Sequence, residues 1–87
     1  MGFALSTSTA ANGEITIRLT AQGTGAHGYP LRTDNIRVAS ASRTVTLREG
    51  APTTVEWKAR RIRADTPWSA VVVEDGDVAR RREVYGP

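Results

Sequence analysis

The chain has 87 residues, 39% apolar and 24% charged, a size and balance that argue for one ordered domain and against both disorder and a deep enclosed active site, because a fold this small withdraws only about 60–65% of its extended surface from water. It has no cysteine, which excludes a disulfide framework, a thiolate nucleophile and any cysteine-based zinc site. Twelve basic against nine acidic side chains give a net charge of +3, and eleven of the twelve are arginine, a bias that coding in a GC-rich bacterial genome produces without any adaptation to phosphate.

The first eleven residues lack the basic segment and the roughly 7–15-residue apolar run of a signal peptide. No stretch reaches the roughly 18 apolar residues of a membrane span. Met1-Gly2-Phe3-Ala4-Leu5-Ser6 matches the short myristoylation pattern, but Phe3 and Leu5 already serve as strand residues. The expectation is therefore a single domain, residues 1–87, excised from a larger protein and opening at Met1-Gly2.

Phe3 to Ser8 predicts an edge strand rich in Ser and Thr, ended by the Asn12-Gly13 turn signal. Glu14 to Ala21 alternates cleanly, with Ile15, Ile17, Leu19 and Ala21 on one face and Glu14, Thr16, Arg18 and Thr20 on the other. That pattern belongs to a strand with one wet face. Gln22 to Gly28 contains three glycines and predicts a flexible loop holding His27. Tyr29 to Ala39 is extended, but its apolar parity changes from Tyr29 and Leu31 to Ile36 and Val38, which predicts a bulge or break at Thr33-Asp34-Asn35.

Arg43 to Arg48 places Val45 and Leu47 inward, and Glu49-Gly50-Ala51-Pro52 turns the chain. From Thr53 the inward set is Val55, Trp57 and Ala59, and Ile62 marks the strand's end or a second bulge. Ala70-Val71-Val72-Val73 is apolar on both faces, as in a central strand covered on both sides or bearing a contact surface. Asp75-Gly76 predicts a two-residue hairpin returning through Val78 to Tyr85. The pattern gives about seven strands separated by turns, and the predicted fold is an all-β, immunoglobulin- or fibronectin III-like antiparallel β-sandwich.

Few constellations could hold chemistry. His27 is the single histidine, and in a mobile glycine loop it reads as a solvated side chain rather than a catalytic base. Glu74, Asp75 and Asp77 suggest a calcium site, yet the aspartate of an Asp-Gly turn is explained by backbone geometry, so no metal or other cofactor is expected. Arg60, Arg61 and Arg63, with Arg80 and Arg82, would form an anion-binding patch if their strands were neighbours. The alternation sends Arg81 away from Arg80 and Arg82, and Glu56, Asp65 and Glu83 are interspersed, which favours a salt-bridged wet face. No nucleic-acid-binding signature accompanies the charge. Of the aromatic residues, Trp57 shares its parity with core positions. Tyr29 and above all Trp68 remain as candidate rings for stacking on sugars.

Several segments form a recurrent layout: Ile15-Thr16-Ile17-Arg18-Leu19, Asp34-Asn35-Ile36-Arg37-Val38, Arg43-Thr44-Val45-Thr46-Leu47, Glu49 to Trp57, Pro67-Trp68, and Gly76 to Gly86. Together they resemble the small β-sandwich modules at the C-terminal ends of secreted actinobacterial hydrolases, both glycoside hydrolases and the non-haemolytic type of phospholipase C. The resemblance spans about residues 14–86 and rests on a strand of Thr-Val-Thr-Leu type, a glycine gap and a strand of Thr-Thr-Val-Glu-Trp type. Where the phospholipase modules begin a strand with a Gly-Trp-Tyr-Asp-like element, this chain has Pro67-Trp68-Ser69-Ala70.

The resemblance implies an extracellular, non-catalytic accessory module with no catalytic residue of its own. Its partner would be the catalytic domain of the same polypeptide or a surface polysaccharide. The alternative is a stand-alone basic domain, compatible with a cytoplasmic location, that binds nucleic acid or an anionic polysaccharide through the arginine patch.

Overall fold

The computed structural model describes residues 2–86. Met1 and Pro87, the outermost residues of the expected 1–87 domain, and with Met1 half of the Met1-Gly2 opening, lie outside them. Eight strands follow in order: β1 (Gly2–Thr9), β2 (Ile15–Gln22), β3 (Gly25–Asp34), β4 (Ile36–Val38), β5 (Ser42–Leu47), β6 (Thr53–Arg61), β7 (Trp68–Val73) and β8 (Arg81–Gly86). They form two antiparallel four-stranded sheets, ordered β1-β2-β6-β4 and β5-β3-β7-β8. The first order is that of strands ABED of an immunoglobulin sandwich and β3-β7-β8 that of CFG, with β5 added on the free edge of β3. No helix among the described residues is long and apolar enough to cross a membrane.

Alternation builds the core. Ile15, Ile17, Leu19 and Ala21 of β2 are all buried, in register with Ala59, Trp57, Val55 and Thr53 of β6. Opposite them lie Tyr29 and Leu31 of β3, Leu47 of β5, and Trp68, Ala70 and Val72 of β7. Phe3 closes the β1 side with its ring edge-on to Tyr29, 5.5 Å between centroids, a favourable geometry for paired quadrupoles. Trp57 is fully buried, and the Arg43 guanidinium covers its ring at 5.9 Å while donating to the Glu56 carbonyl at 2.9 Å. Gly86 is required by packing, because a β-carbon there would stand 1.8 Å from Trp68 Nε1.

The parity change at Thr33-Asp34-Asn35 is a change of sheet. The chain leaves β3 in one layer and enters β4 in the other, which is why one predicted segment gives two strands and the total is eight. Asn35 makes the crossing with φ 63°, a left-handed conformation that asparagine tolerates better than most residues. Its side chain then ties the crossing to the β6–β7 connection. Nδ2 donates to the carbonyls of Arg63 at 2.9 Å and Thr66 at 2.7 Å, and Oδ1 accepts from the Arg63 amide at 2.8 Å.

Two local expectations are corrected. Gln22 to Gly28 is not a flexible loop: β2 runs to Gln22 and β3 begins at Gly25, because Gly23 and Gly25 adopt φ 147° and 86° and turn the chain sharply between the sheets. The β7–β8 connection is not a two-residue hairpin. Its last strand pair is Val73 with Arg81, and residues 74–80 form a closed loop through a 3-10 turn at Glu74–Gly76, with the Glu74 amide donating to the Arg80 carbonyl at 3.0 Å. Glu74 continues the inward parity of Trp68, Ala70 and Val72. The buried carboxylate requires polar partners, and a longer loop brings Arg80 back to it.

Asn35→Ala, which loses the side-chain bonds and strains the backbone, is expected to destabilise the fold by about 2–3 kcal/mol. Asn35→Gly keeps the backbone free of strain and should cost less. Urea unfolding of the two variants beside the parent checks the order; an equal cost would show that only the hydrogen bonds matter.

Candidate functional site

The sequence-predicted surface is dispersed by the fold. Tyr29 and Trp68 are 0% and 3% exposed, so neither ring offers a face for a sugar. Their positions at inward parity on β3 and β7 place them in the core, and the stacking role is withdrawn for both. The two arginine groups do not converge either. Arg60 and Arg61 end β6 in one sheet, whereas Arg80 and Arg82 belong to the β7–β8 arm of the other. Arg63 lies just beyond β6, with its backbone held by Asn35.

Arg80 and Arg82 are structural. Arg82 sits over the Phe3 ring at 5.5 Å, and Arg80 donates to Glu74 Oε1 at 2.8 Å. Arg60 donates to the Asn12 carbonyl and Arg61 to that of Ala64. Across the sheet Arg60 meets Arg37 of β4 in direct register. Sequence reasoning missed Arg37, because strand pairing is not encoded in spacing along the chain.

The polar cluster beneath the β7–β8 connection was also missed. Glu74 is 3% exposed and receives the Tyr29 hydroxyl on Oε2 and Arg80 on Oε1, both at 2.8 Å. Burial, reinforced by the acceptor bond to Glu74, pushes the Tyr29 hydroxyl well above the ordinary tyrosine range. Beside it Asp75 has φ 53°, which directs its carboxylate back onto β3. Oδ1 accepts from the Gly28 amide at 2.8 Å and Oδ2 lies 2.6 Å from His27 Nδ1. The other ring nitrogen, Nε2, is 2.7 Å from the Thr24 carbonyl.

Both partners of His27 are acceptors, so the ring satisfies them only as a double donor, the imidazolium. The Asp75 bond, and after it the Thr24 bond, raise the His27 pKa above its usual 6.5. The same pair and the Gly28 amide lower that of Asp75 below its usual 3.8. His27 is thus not a solvated loop residue but a clamped cation in β3. The ligand atoms of His27, Glu74 and Asp75 fall within 4.8 Å of one another. In this arrangement the imidazole nitrogens face the Asp75 carboxylate and the Thr24 carbonyl, and the Glu74 oxygens accept from Tyr29 and Arg80. The only sequence hint was the carboxylate trio after an apolar strand, with Glu74 at a core parity.

The outer faces of the two sheets differ. On β1-β2-β6-β4 the outward residues of β2 and β6 are polar: Arg18 pairs with Glu56 at 2.8 Å, Lys58 donates to Thr16 at 2.9 Å, and Thr20 meets Thr54 at 3.3 Å. On the other sheet the interior strand β7 directs Val71 and Val73 outward, and Tyr85 of β8 is 68% exposed. The fold and these faces define an all-β sandwich domain. No protein-family model, curated protein or solved structure matches the chain.

The His27–Asp75 pair sets a pH dependence. A raised histidine pKa contributes stability that is complete below pH 6.5 and is lost as pH rises through the folded-state value. The melting temperature is expected to fall as pH rises above 6.5, and His27→Ala to remove that slope. The side chains are 23% and 46% exposed, so water screens the pair and the fall is modest. A slope that survives His27→Ala would refute the assignment. Tyr29→Phe, which leaves one oxygen of a buried carboxylate without its donor, should cost about 1–3 kcal/mol in urea unfolding.

Proposed function

We propose that this chain is a non-catalytic β-sandwich module that packs on the catalytic domain of the same polypeptide, a secreted hydrolase, through the outer face of the β5-β3-β7-β8 sheet. The observation that carries this reading is the outward pair Val71 and Val73 on an interior strand. Their in-register neighbours are Arg32, Glu83 and Arg81, with Tyr85 exposed nearby. An apolar centre with an aromatic residue and a charged rim is the anatomy of a protein–protein interface. Both tryptophans are buried, which favours docking over stacking on a glycan.

Catalysis is assigned to the neighbouring domain. His27, the one histidine, has both ring nitrogens engaged by Asp75 and the Thr24 carbonyl, an arrangement that suits a structural tie better than a base. The resemblance of the strands to accessory modules of actinobacterial hydrolases supports the same division of labour and an extracellular location.

The reading predicts an open reading frame in which a secretion signal and a hydrolase domain precede this segment. A frame encoding this domain alone would sink it. In the isolated module the double substitution Val71→Glu with Val73→Glu should move the melting temperature by less than about 4 °C, as outward positions do. In the parent polypeptide the same pair should lower the hydrogen-exchange protection of β7 and β8 and separate the thermal transitions of the two domains. Unchanged protection there would contradict docking.

A further inference from the structure

The register of β4 on β6 sets Arg37 directly opposite Arg60, next to Val38 opposite Ala59. Both arginines are exposed, and both point outward, because their neighbours Ile36 and Ala59 are buried. Lys58, two residues from Arg60 along β6, shares that outer face. Like charges directly opposite on a sheet are destabilising. Three outward cations of this chain show the usual remedy: Arg18 pairs with Glu56, Arg80 with Glu74 and Arg81 with Glu83. Among the described residues Arg37 has no side-chain hydrogen bond or ion pair, and Arg60 has only the Asn12 carbonyl.

Two shallow depressions share this arginine pair. One is lined by Arg37, Arg60, Arg61 and Ile62, the other by Arg37 and Arg60 with Glu14, Ala39, Lys58 and Ala59. Ile62 is 58% exposed, so an apolar edge borders the cations. Lys58 is already oriented by Thr16 at 2.9 Å, and its nearest carboxylate, Glu56 at 3.8 Å, is shared with Arg18. The face therefore presents two guanidinium forks that no carboxylate pairs with and an ammonium whose carboxylate is shared with Arg18, with Glu14 at the border of the second depression.

We propose that Arg37 and Arg60, assisted by Lys58, form an oxyanion site that takes a sulfate or phosphate ester carried on a polysaccharide. Guanidinium forks match tetrahedral oxyanions bidentately, and Lys58 adds a point charge. A bound anion also removes the repulsion between the opposed arginines. The polysaccharide is favoured over nucleic acid by the surroundings. Single strands are gripped by stacking bases on aromatic rings, but Phe3, Tyr29, Trp57 and Trp68 are buried and Tyr85 lies on the other sheet. The cationic run is also short, stopped along β6 by Glu56. The site occupies the sheet opposite the proposed docking face and does not depend on docking.

The test is titration calorimetry at low salt with four probes: a sulfated heparin oligosaccharide, a phosphorylated mannan oligosaccharide, inorganic sulfate, and single-stranded DNA of equal charge. At least one oligosaccharide is expected to bind, with affinity falling steeply as salt rises. Arg37→Gln and Arg60→Gln should each weaken it about tenfold, the loss expected of a charge-assisted hydrogen bond. Arg32→Gln and Arg81→Gln on the opposite sheet should change it less than about twofold. Melting temperatures of the Arg37 and Arg60 variants should be unchanged or higher, since a repulsion is removed. Failure of both oligosaccharides at low salt overturns the proposal, as does equal loss from the Arg32 and Arg81 controls. Inorganic sulfate binding as tightly as the oligosaccharides overturns the polymer assignment, and tighter binding of DNA overturns it in favour of nucleic acid.

Discussion

One short crossing governs this molecule. Between Asp34 and Ile36 the chain has to pass from one sheet to the other and still return apolar side chains to the same core, so a single residue absorbs the change of direction and the change of parity. Asn35 does so with a left-handed backbone and a side chain bonded to the β6–β7 connection. β4 is only three residues long and could not hold its place through its own ladder. Its register on β6, and with it the meeting of Arg37 and Arg60, follows from the anchoring of the crossing.

A second constraint acts at the opposite end of β7. Inward alternation does not stop where the apolar residues stop, and it carries the Glu74 carboxylate into the core edge. Burial of an anion is tolerable only with donors in place. Tyr29 supplies one from within the core, and Arg80 supplies another by way of a seven-residue loop. The Asp75 carboxylate, projected by its left-handed backbone, fastens His27 and the Gly28 amide of β3. Together these bonds fix the β7–β8 arm on β3, and a connection that local turn chemistry would make tight becomes long and ordered.

The sandwich therefore has two unlike outer faces. Sheet β1-β2-β6-β4 is wet and cationic, with Arg18 and Lys58 sharing Glu56 and the Arg37–Arg60 pair without a carboxylate. Sheet β5-β3-β7-β8 has an apolar centre at Val71 and Val73 inside a charged rim. Val71 and Val73 are half-buried on an interior strand, and like charges in direct register, such as Arg37 and Arg60, carry a cost. The proposed docking face and oxyanion site assign one contact to each.

Much of the architecture was legible along the chain. Period-two alternation identifies β2, β5 and β6 and their inward residues, places Trp57 in the core, locates the Asn12-Gly13 and Glu49-Gly50 turns, and marks the break at Asn35, because strand parity is a local property of a pleated backbone; β7 is marked only as a run apolar on both faces. What lay beyond its reach were the relations between segments distant in sequence: that the Asn35 break is a change of sheet, that Arg60 faces Arg37 rather than Arg80, that Tyr29 and Trp68 are enclosed, and that His27 and Asp75, 48 residues apart, are hydrogen-bonded. Those facts depend on which strands pair and on what covers each face. Alternation determines that a side chain points to one side of its own strand; only the packing of two sheets decides whether that side is core, solvent or a site.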